Sequence, residues 1–165
     1  MSELRWNPVL EEWVNTAAHR QERTFLPPDD YCPLCPTLPG ALPTEIPAAD
    51  YEIVVFENKF PAFQRRPPAP SVGGSDLYPV RQAVGICEVV CYTARHDLTL
   101  ADLTIDEILR LVHVWADRYE ELSALDYVDY VYIFENKGQP VGVTLTHPHG
   151  QIYAFPFVPP RVQRE

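Results

Sequence analysis

Residues 104–135 read TIDEILRLVHVWADRYEELSALDYVDYVYIFE, a helical pattern followed by a strand pattern. Thr104 and Glu107 have the spacing of a capping box, which predicts that a helix begins at residue 105. Apolar residues then recur every three or four positions, the spacing of a helix with one buried face, so we predict a helix over 105–122. His113 is expected to face solvent. The apolar stripe, which we interpret as the core-facing side, comprises Ile105, Ile108, Leu109, Val112, Trp115, Ala116, Tyr119 and Leu122.

Strand patterns surround this helix. Residues 127–135 are rich in Val, Tyr and Ile, and a turn over 136–140 precedes a last strand centred on 151–155. The short connection between these two strands favours an antiparallel pair. Because strands outnumber helices, we predict an α+β fold, a mostly antiparallel sheet with one long helix packed on it. Further strands are predicted near Glu12–Asn15, at 51–58 and at 85–92, and Pro-rich loops at 27–47 and 61–80.

Composition narrows the possible functions. The chain has 165 residues, of which 23 are Asp or Glu and 13 are Lys or Arg, so its formal net charge is −10. A hydrophobic content of 46% is enough for a folded core, which excludes wholesale disorder, and the negative charge disfavours nucleic acid as a partner. No apolar run approaches the length of a membrane span, and the first residues do not resemble a signal peptide, so we expect a cytoplasmic location.

Two of the four cysteines form a CxxC sequence at Cys32 and Cys35. Two thiolates from one tight loop would leave a tetrahedral zinc ion needing two more ligands, and histidines are the natural candidates. His96 and one imidazole of the pair His147 and His149 would complete a Cys₂His₂ set. The flanking prolines, with no helix after the motif, favour zinc over a redox dithiol. Cys87 and Cys91 fall on one face of a predicted strand and are interpreted as core residues.

The segment Thr146-His147-Pro148-His149-Gly150-Gln151 is the strongest functional signal in the sequence. In an extended chain the two imidazoles and the amide of Gln151 would point the same way, because alternate side chains share one face. Pro148 stiffens the segment, and Gly150 is expected to let a substrate approach the backbone closely. This pattern predicts one small reactive site.

Taken together, the motifs resemble the N-terminal half of the galactose-1-phosphate uridylyltransferases, within the histidine-triad superfamily. The resemblance covers most of the chain and implies a histidine-triad-like fold. It depends on Arg5-Trp6-Asn7-Pro8, Glu12-Trp13-Val14, His19-Arg20-x-x-Arg23, Cys32-Pro33-Leu34-Cys35, Phe56-Glu57-Asn58, Arg95-His96, Phe134-Glu135-Asn136-Lys137-Gly138 with Gly142, and His147-Pro148-His149-Gly150-Gln151-Ile152.

The resemblance implies a catalytic role for two residues. The imidazole matching His149 attacks the α-phosphorus of UDP-glucose, releases glucose 1-phosphate and carries the uridylyl group until galactose 1-phosphate takes it. The carbonyl matching His147 orients that ring, and Gln151 bonds a phosphoryl oxygen. Superfamily hydrolases usually carry His where this chain has Gln151, and an amide cannot act as an acid or base, so Gln fits transfer better than hydrolysis.

The resemblance also implies ligands for zinc and for the nucleotide. The zinc ligands match Cys32, Cys35, His96 and His147, and the metal is structural in the family. Lys59 stands where the family commonly has Asp, and this difference affects the ribose contact and the base preference that the resemblance implies. The other matches are to substrate-binding positions. Arg20 and Arg23 match arginines that bind phosphate, and Asn58 and Asn136 match amides that contact the nucleotide. Gly142, Gln151 and Thr144 also match such positions, and Thr144 keeps a hydroxyl for the phosphate.

We therefore expect residues 1–165 to form one histidine-triad-like domain, with an N-terminal extension and zinc loop over 1–50 and a core over 51–165. The expected substrates are UDP-hexose and hexose 1-phosphate, in galactose metabolism. Family members continue into a second half, so we expect a homodimer or pairing with a separate C-terminal half. Two alternatives stay open: transfer or phosphorolysis of an ADP-hexose or dinucleotide, and a non-catalytic zinc-stabilised half that binds nucleotide.

Overall fold

A computed structural model of the chain describes residues 2–18, residue 28 and residues 30–165. Seven strands and two helices follow in the order β1 (Ser2–Asn7), β2 (Glu12–Ala17), β3 (Val54–Glu57), β4 (Val80–Gln82), β5 (Ile86–Cys91), α1 (Ile105–Ser123), β6 (Tyr130–Phe134), β7 (His149–Phe155) and α2 (Pro160–Gln163). The fold is α+β, as the sequence predicts. No helix within the described ranges has the length and apolar character needed to cross a membrane.

The strands form two antiparallel sheets. The larger has the order β3-β5-β7-β6, with β5 and β7 at its centre, and the smaller has the order β2-β1-β4. The predicted antiparallel pairing of the last two strands is confirmed, with Phe134 of β6 opposite Gln151 of β7. Of the second sheet only β2 is predicted, as the strand near Glu12–Asn15, and that strand is confirmed. Its strand β1 lies outside the predicted strands, and β4 has only three residues.

Helix α1 packs on one face of the larger sheet. It begins with the predicted capping box, in which the Thr104 side chain accepts from the Glu107 amide and the Glu107 side chain accepts from the Thr104 amide. Leu111 and Leu122 are fully buried in one cluster with side chains from the three strands that they cover. This cluster includes Ile86 and Val90 of β5, Val131 of β6, and Ile152 and Ala154 of β7.

The predicted orientation of this helix is wrong for most of the apolar stripe. Leu122 is buried and Trp115 packs against the core, but the other members lie on the exposed side, Ile105 with 84% of its surface accessible. The buried face instead uses Leu111, together with Arg118, which pairs with the sheet. Apolar periodicity alone leaves out Arg118, and it therefore indicates the neighbouring, exposed face of the helix. His113 is exposed, as predicted.

The CxxC loop and the smaller sheet pack on the opposite face of the larger sheet. Leu34 and Ile46 from the Pro-rich loop pack on Val89 and Cys91 of β5. Farther along the same strand, Cys87 packs with Phe63 and with Leu4 of β1. The interpretation of Cys87 and Cys91 as buried core residues is confirmed. Strand β5 therefore carries the core on one face and packs against β1 and the CxxC loop on the other.

An ion pair fastens α1 to the centre of the sheet. Arg118 Nη2 lies 2.6 Å from Glu88 Oε1 on β5, and the Arg118 Nε–H donates to Glu88 Oε2 at 3.0 Å. Only 5% of the Glu88 side chain and 15% of the Arg118 side chain are accessible. In such a site the loss of one partner leaves the other charge buried without compensation.

We expect Arg118→Met to lower the free energy of unfolding by about 3–5 kcal/mol, because the buried Glu88 carboxyl would lose its partner. Urea denaturation followed by circular dichroism measures this change. The matched control is Arg65→Met, which removes the exposed Arg65–Glu57 pair and is expected to cost less than about 1 kcal/mol. Equal effects of the two substitutions would contradict the role of the buried pair.

Candidate functional site

Strand β7 places two polar side chains on the sheet face opposite α1. His149, Gln151, Tyr153 and Phe155 alternate with the buried residues Gly150, Ile152 and Ala154, of which Ile152 and Ala154 belong to the core beneath the helix. His149 lies opposite Cys91 of β5, and Gln151 lies opposite Val89. The strand begins at His149, two residues before the predicted stretch 151–155, so both polar residues of the motif are held by a central strand.

The core requires a glycine at position 150. Its missing side chain would point towards the helix side of the sheet, where a Cβ atom would lie 2.1 Å from the Tyr92 hydroxyl oxygen and 2.9 Å from the Phe134 carbonyl oxygen. These contacts lie on the helix side of the sheet, and the expectation that Gly150 opens the backbone to a substrate stays a prediction. The glycine lets the Tyr92 hydroxyl reach the middle of the sheet.

The imidazole of His149 is held in one tautomer. Its Nδ1–H donates to the backbone carbonyl of His147 at 2.7 Å. Because a carbonyl oxygen only accepts, the proton of the neutral ring lies on Nδ1 and the lone pair on Nε2 is free. The ring is half-buried. Its geometry is that of an oriented nucleophile or acceptor of a proton.

Asn58 and Gln151 meet across the sheet. The Asn58 side-chain amide donates to Gln151 Oε1 at 3.2 Å, and its own oxygen accepts from the Phe60 amide at 2.9 Å. Asn58 is buried, with 8% of its surface accessible. With its oxygen engaged by Asn58, the Gln151 amide keeps its N–H groups available for an acceptor near His149.

The CxxC loop, His96 and His147 form one compact group. The ligand atoms of Cys32, Cys35, His96 and His147 all lie within 4.8 Å of one another. Cys35 Sγ lies 3.4 Å from His96 Nδ1 and 3.6 Å from His147 Nδ1. Tetrahedral zinc with ordinary bond lengths would place sulfur and nitrogen ligands about 3.5 Å apart. The group can bind a metal ion, and of the two candidate imidazoles in the motif it contains that of His147.

The pKa values of His147 and Cys35 affect how this group would bind a metal. Burial lowers the pKa of His147 to about 4, so its ring is neutral at physiological pH. Its Nε2 lies 2.8 Å from the Thr93 carbonyl oxygen, which places the proton there and leaves Nδ1 free as a ligand. Burial and the neighbouring Cys32 thiol raise the pKa of Cys35 to about 12. A divalent cation would reverse this shift, since it stabilises the thiolate.

Residues that the sequence analysis missed orient the two histidines. The Tyr51 hydroxyl donates to the Leu34 carbonyl in the CxxC loop at 2.9 Å, and its oxygen lies 2.7 Å from His147 Nε2. The Thr146 hydroxyl oxygen lies 3.1 Å from His96 Nε2. Such contacts involve backbone carbonyls and residues distant in sequence, so no local pattern could have indicated them.

The other predicted substrate-binding residues belong to two segments, of which the structure describes one. Arg20 and Arg23 lie outside the described residues. Asn136, Gly142 and Thr144 lie in the exposed loop between β6 and β7, where Gly142 has a φ of 78°, a conformation that favours glycine. In the part of the chain that the structure describes, no side-chain hydrogen bond joins these three residues to His149 or Gln151. Lys59 Nζ forms an ion pair with Glu45 Oε1 at 2.8 Å.

Comparisons with known proteins give a consistent result. The family model described as galactose-1-phosphate uridyl transferase, N-terminal domain, matches residues 1–159. A galactose-1-phosphate uridylyltransferase of Thermotoga maritima is 42% identical over 99% of this chain and 49% of that protein. One from Rattus norvegicus is 38% identical over 98% of this chain and 45% of that protein. The chain therefore spans about half the length of the curated relatives that it matches.

Solved structures support the same fold. A structure described as that of a uridylyltransferase has a TM-score of 0.81 and 34% identity, covering 98% of this chain and 48% of that one. An ADP-glucose phosphorylase from Arabidopsis thaliana with bound ADP-glucose has a TM-score of 0.61 and 23% identity, covering 99% of this chain and 51% of that one. At that identity the second similarity concerns the fold alone.

Proposed function

Because the chain belongs to the galactose-1-phosphate uridyl transferase N-terminal domain family, we propose that it is the nucleotidyl-transferring half of a UDP-glucose–hexose-1-phosphate uridylyltransferase. The observation that carries the proposal is the hydrogen bond from His149 Nδ1 to the His147 carbonyl, at 2.7 Å, which leaves Nε2 with a free lone pair. A neutral, oriented imidazole is a competent nucleophile near pH 7.

The reaction proceeds in two displacements at phosphorus. His149 Nε2 attacks the α-phosphorus of UDP-glucose, a P–N bond forms, and the P–O bond to glucose 1-phosphate breaks. The ring keeps its Nδ1 proton and gains positive charge, which the His147 carbonyl dipole stabilises. A phosphate oxygen of galactose 1-phosphate then attacks the same phosphorus, and the P–N bond breaks to release UDP-galactose and the neutral ring.

Gln151 is the second catalytic residue of the proposal. It lies on the same face of β7 as His149, and Asn58 engages its carbonyl oxygen, so its N–H groups can bond a phosphoryl oxygen. An amide stabilises charge without exchanging a proton, and so it does not activate water. This property favours transfer to a sugar phosphate over hydrolysis of the intermediate.

The remaining substrate contacts follow from the family resemblance. We assign Arg20 and Arg23 to the phosphates, which a chain of net charge −10 must attract with a local positive patch. Asn58 and Asn136 are assigned to the nucleotide, Thr144 to the phosphate, and Gly142 to the substrate-binding site.

The metal in this proposal is zinc, held by Cys32, Cys35, His96 and His147. Two thiolates and two imidazoles are a donor set typical of structural zinc. When bound, zinc would link the CxxC loop, which belongs to the N-terminal extension over 1–50, to the segment that carries His149. Both segments are part of a single proposed domain whose core is residues 51–165. The chain's own part is to hold His147 between the Thr93 carbonyl and Tyr51, so that its backbone carbonyl faces the His149 ring.

Two alternatives remain for the same site. Lys59 replaces the family's Asp beside Asn58, and for this reason an ADP-hexose or a dinucleotide is the alternative donor to test. The half-length match makes a non-catalytic, zinc-stabilised nucleotide-binding half the other candidate. Homodimerisation and a cytoplasmic location stay predictions from the sequence.

Intact mass after brief incubation with UDP-glucose tests the proposal. We expect a gain of one uridylyl group and release of glucose 1-phosphate, and a much smaller gain with ADP-glucose under the same conditions. A preferential adenylyl gain would reassign the donor. Absence of any adduct in protein whose bound zinc is confirmed would instead favour the binding half.

A further inference from the structure

An ion pair joins the CxxC loop to the segment that follows β3. Lys59 Nζ lies 2.8 Å from Glu45 Oε1. The Glu45 backbone N–H donates to the Pro33 carbonyl, inside the CxxC sequence, at 3.0 Å. Lys59 directly follows Asn58, whose side-chain amide donates to Gln151 at 3.2 Å. The pair therefore stands next to residues that the proposed function assigns to the substrate.

The position of Glu45 over the sheet is set by the residue that follows it. Ile46 is 2% accessible and lies in one buried cluster with Val89 of β5, against which Phe56 of β3 also packs. Val89 is opposite Phe56 on one side and opposite Gln151 on the other, and residues directly opposite each other share one face of a sheet. The face that carries Gln151 therefore extends under the segment that presents Glu45.

The width of the sheet fits a nucleotide between His149 and Glu45. Strands β7 and β3 are separated by two strand spacings, about 10 Å. With the α-phosphate at His149, a nucleoside that extends towards Asn58 lies over β5 and β3. The ribose ring, its C5′ arm and one hydrogen bond together cover a comparable distance. The ribose hydroxyls of such a nucleotide would face the Glu45 carboxylate.

The Glu45 carboxylate is suited to bind two neighbouring hydroxyls. Lys59 engages Oε1, and in the part of the chain that the structure describes no hydrogen bond engages Oε2. The side chain is 36% accessible, so a ligand can reach it. Carboxylate oxygens only accept, and the ribose 2′- and 3′-hydroxyls can both donate. Because Lys59 balances its charge, Glu45 can approach a nucleoside diphosphate without adding net negative charge.

We propose that Glu45 is a specificity-determining residue that accepts hydrogen bonds from the ribose hydroxyls of the nucleotide, while Lys59 holds and neutralises its carboxylate. The inference rests on the proposed function for the place of the nucleotide on the sheet. A nucleotide without these hydroxyls leaves the Glu45 oxygen beside the sugar without a donor, so the site selects ribonucleotides.

Equilibrium binding of two nucleotides tests the inference. Isothermal titration calorimetry gives the dissociation constants of UDP and of 2′,3′-dideoxy-UDP, and their ratio measures recognition of the ribose hydroxyls. The test variant is Glu45→Ala. Its matched control is Glu57→Ala, which also removes an accessible carboxylate from an ion pair, here with Arg65. Glu57 is opposite Glu88, which pairs with Arg118 of α1, so it lies on the other face of the sheet.

We expect 2′,3′-dideoxy-UDP to bind the wild-type chain and Glu57→Ala at least about tenfold more weakly than UDP, the effect of one hydrogen bond to a charged group. In Glu45→Ala the two dissociation constants should become about equal, because the acceptor is gone. Circular dichroism should show the same melting temperature, within a few degrees, for both variants.

Three outcomes would overturn the inference: an unchanged ratio in Glu45→Ala, an equal fall of the ratio in both variants, or a wild-type chain that binds the two nucleotides equally or not at all. The binding readout separates the inference from the proposed chemistry. A Glu45-dependent ratio in a chain that forms no adduct with UDP-glucose would contradict the transfer reaction alone. Adduct formation with a ratio that does not depend on Glu45 would contradict the inference alone.

Discussion

Replacing His149 by glycine is expected to abolish the covalent uridylyl adduct, with a loss of at least about a thousandfold in the rate of its formation. The reason is that the free Nε2 lone pair of His149, set by the 2.7 Å hydrogen bond to the His147 carbonyl, is the nucleophile in the proposal. Gln151 offers only an amide, which cannot take over that role. Intact mass spectrometry after incubation with UDP-glucose measures the adduct directly.

Two controls make this result specific. His113→Ala removes an exposed imidazole from α1 and should leave the adduct unchanged. The His149→Gly protein should retain its metal and lose only about 1 kcal/mol of stability, the ordinary cost of glycine in a strand. An undiminished adduct in the glycine variant would assign the nucleophile to another residue.

Loss of one metal ligand is expected to have the largest effect on stability. Cys35 is the most informative position, because its sulfur lies 3.4 and 3.6 Å from the Nδ1 atoms of the two histidines. Binding of a structural metal contributes directly to folding free energy. We expect Cys35→Ser to abolish metal binding and to lower the melting temperature by on the order of 10–20 °C, at roughly 3 °C per kcal/mol for a domain of this size.

Metal content by mass spectrometry and thermal unfolding check this prediction. Cys87→Ser, at a buried position on the same sheet face but outside the metal group, should keep its metal and lose no more than a few degrees. A Cys35→Ser protein with stoichiometric metal and an unchanged melting temperature would contradict the assignment. The variant should also form the adduct more slowly, because His147 links the metal group to the His149 ring.

Much of the larger sheet could be predicted, because its strands are central and rich in β-branched and aromatic residues. Strands β5, β6 and β7 fall within or beside the predicted segments. The smaller sheet could not be predicted in the same way. Its strand β4 pairs only three residues with β1, and the polar side chain of Glu3 is buried through bonds to Arg5 and Ser71. Such bonds between segments leave no periodic pattern.

The site shows the same division. Spacing alone indicated a CxxC metal loop with His96 and one histidine of the motif, and the structure places these side chains in one group. The choice of His147, the roles of Tyr51 and the Thr93 carbonyl, and the meeting of Asn58 with Gln151 depend on tertiary geometry. The orientation of α1 was mistaken because a charged pair occupies part of its buried face.

The metal group has a consequence for the synthesis of the chain on the ribosome. Its first two ligands, Cys32 and Cys35, emerge early, but His147 follows more than a hundred residues later and is positioned by contacts with Tyr51, the Thr93 carbonyl and the CxxC loop. Contacts so distant in sequence form late, after the intervening strands have paired. A complete four-ligand group therefore marks a chain that has been translated through the reactive histidine and folded around it, and a stalled product would lack this mark.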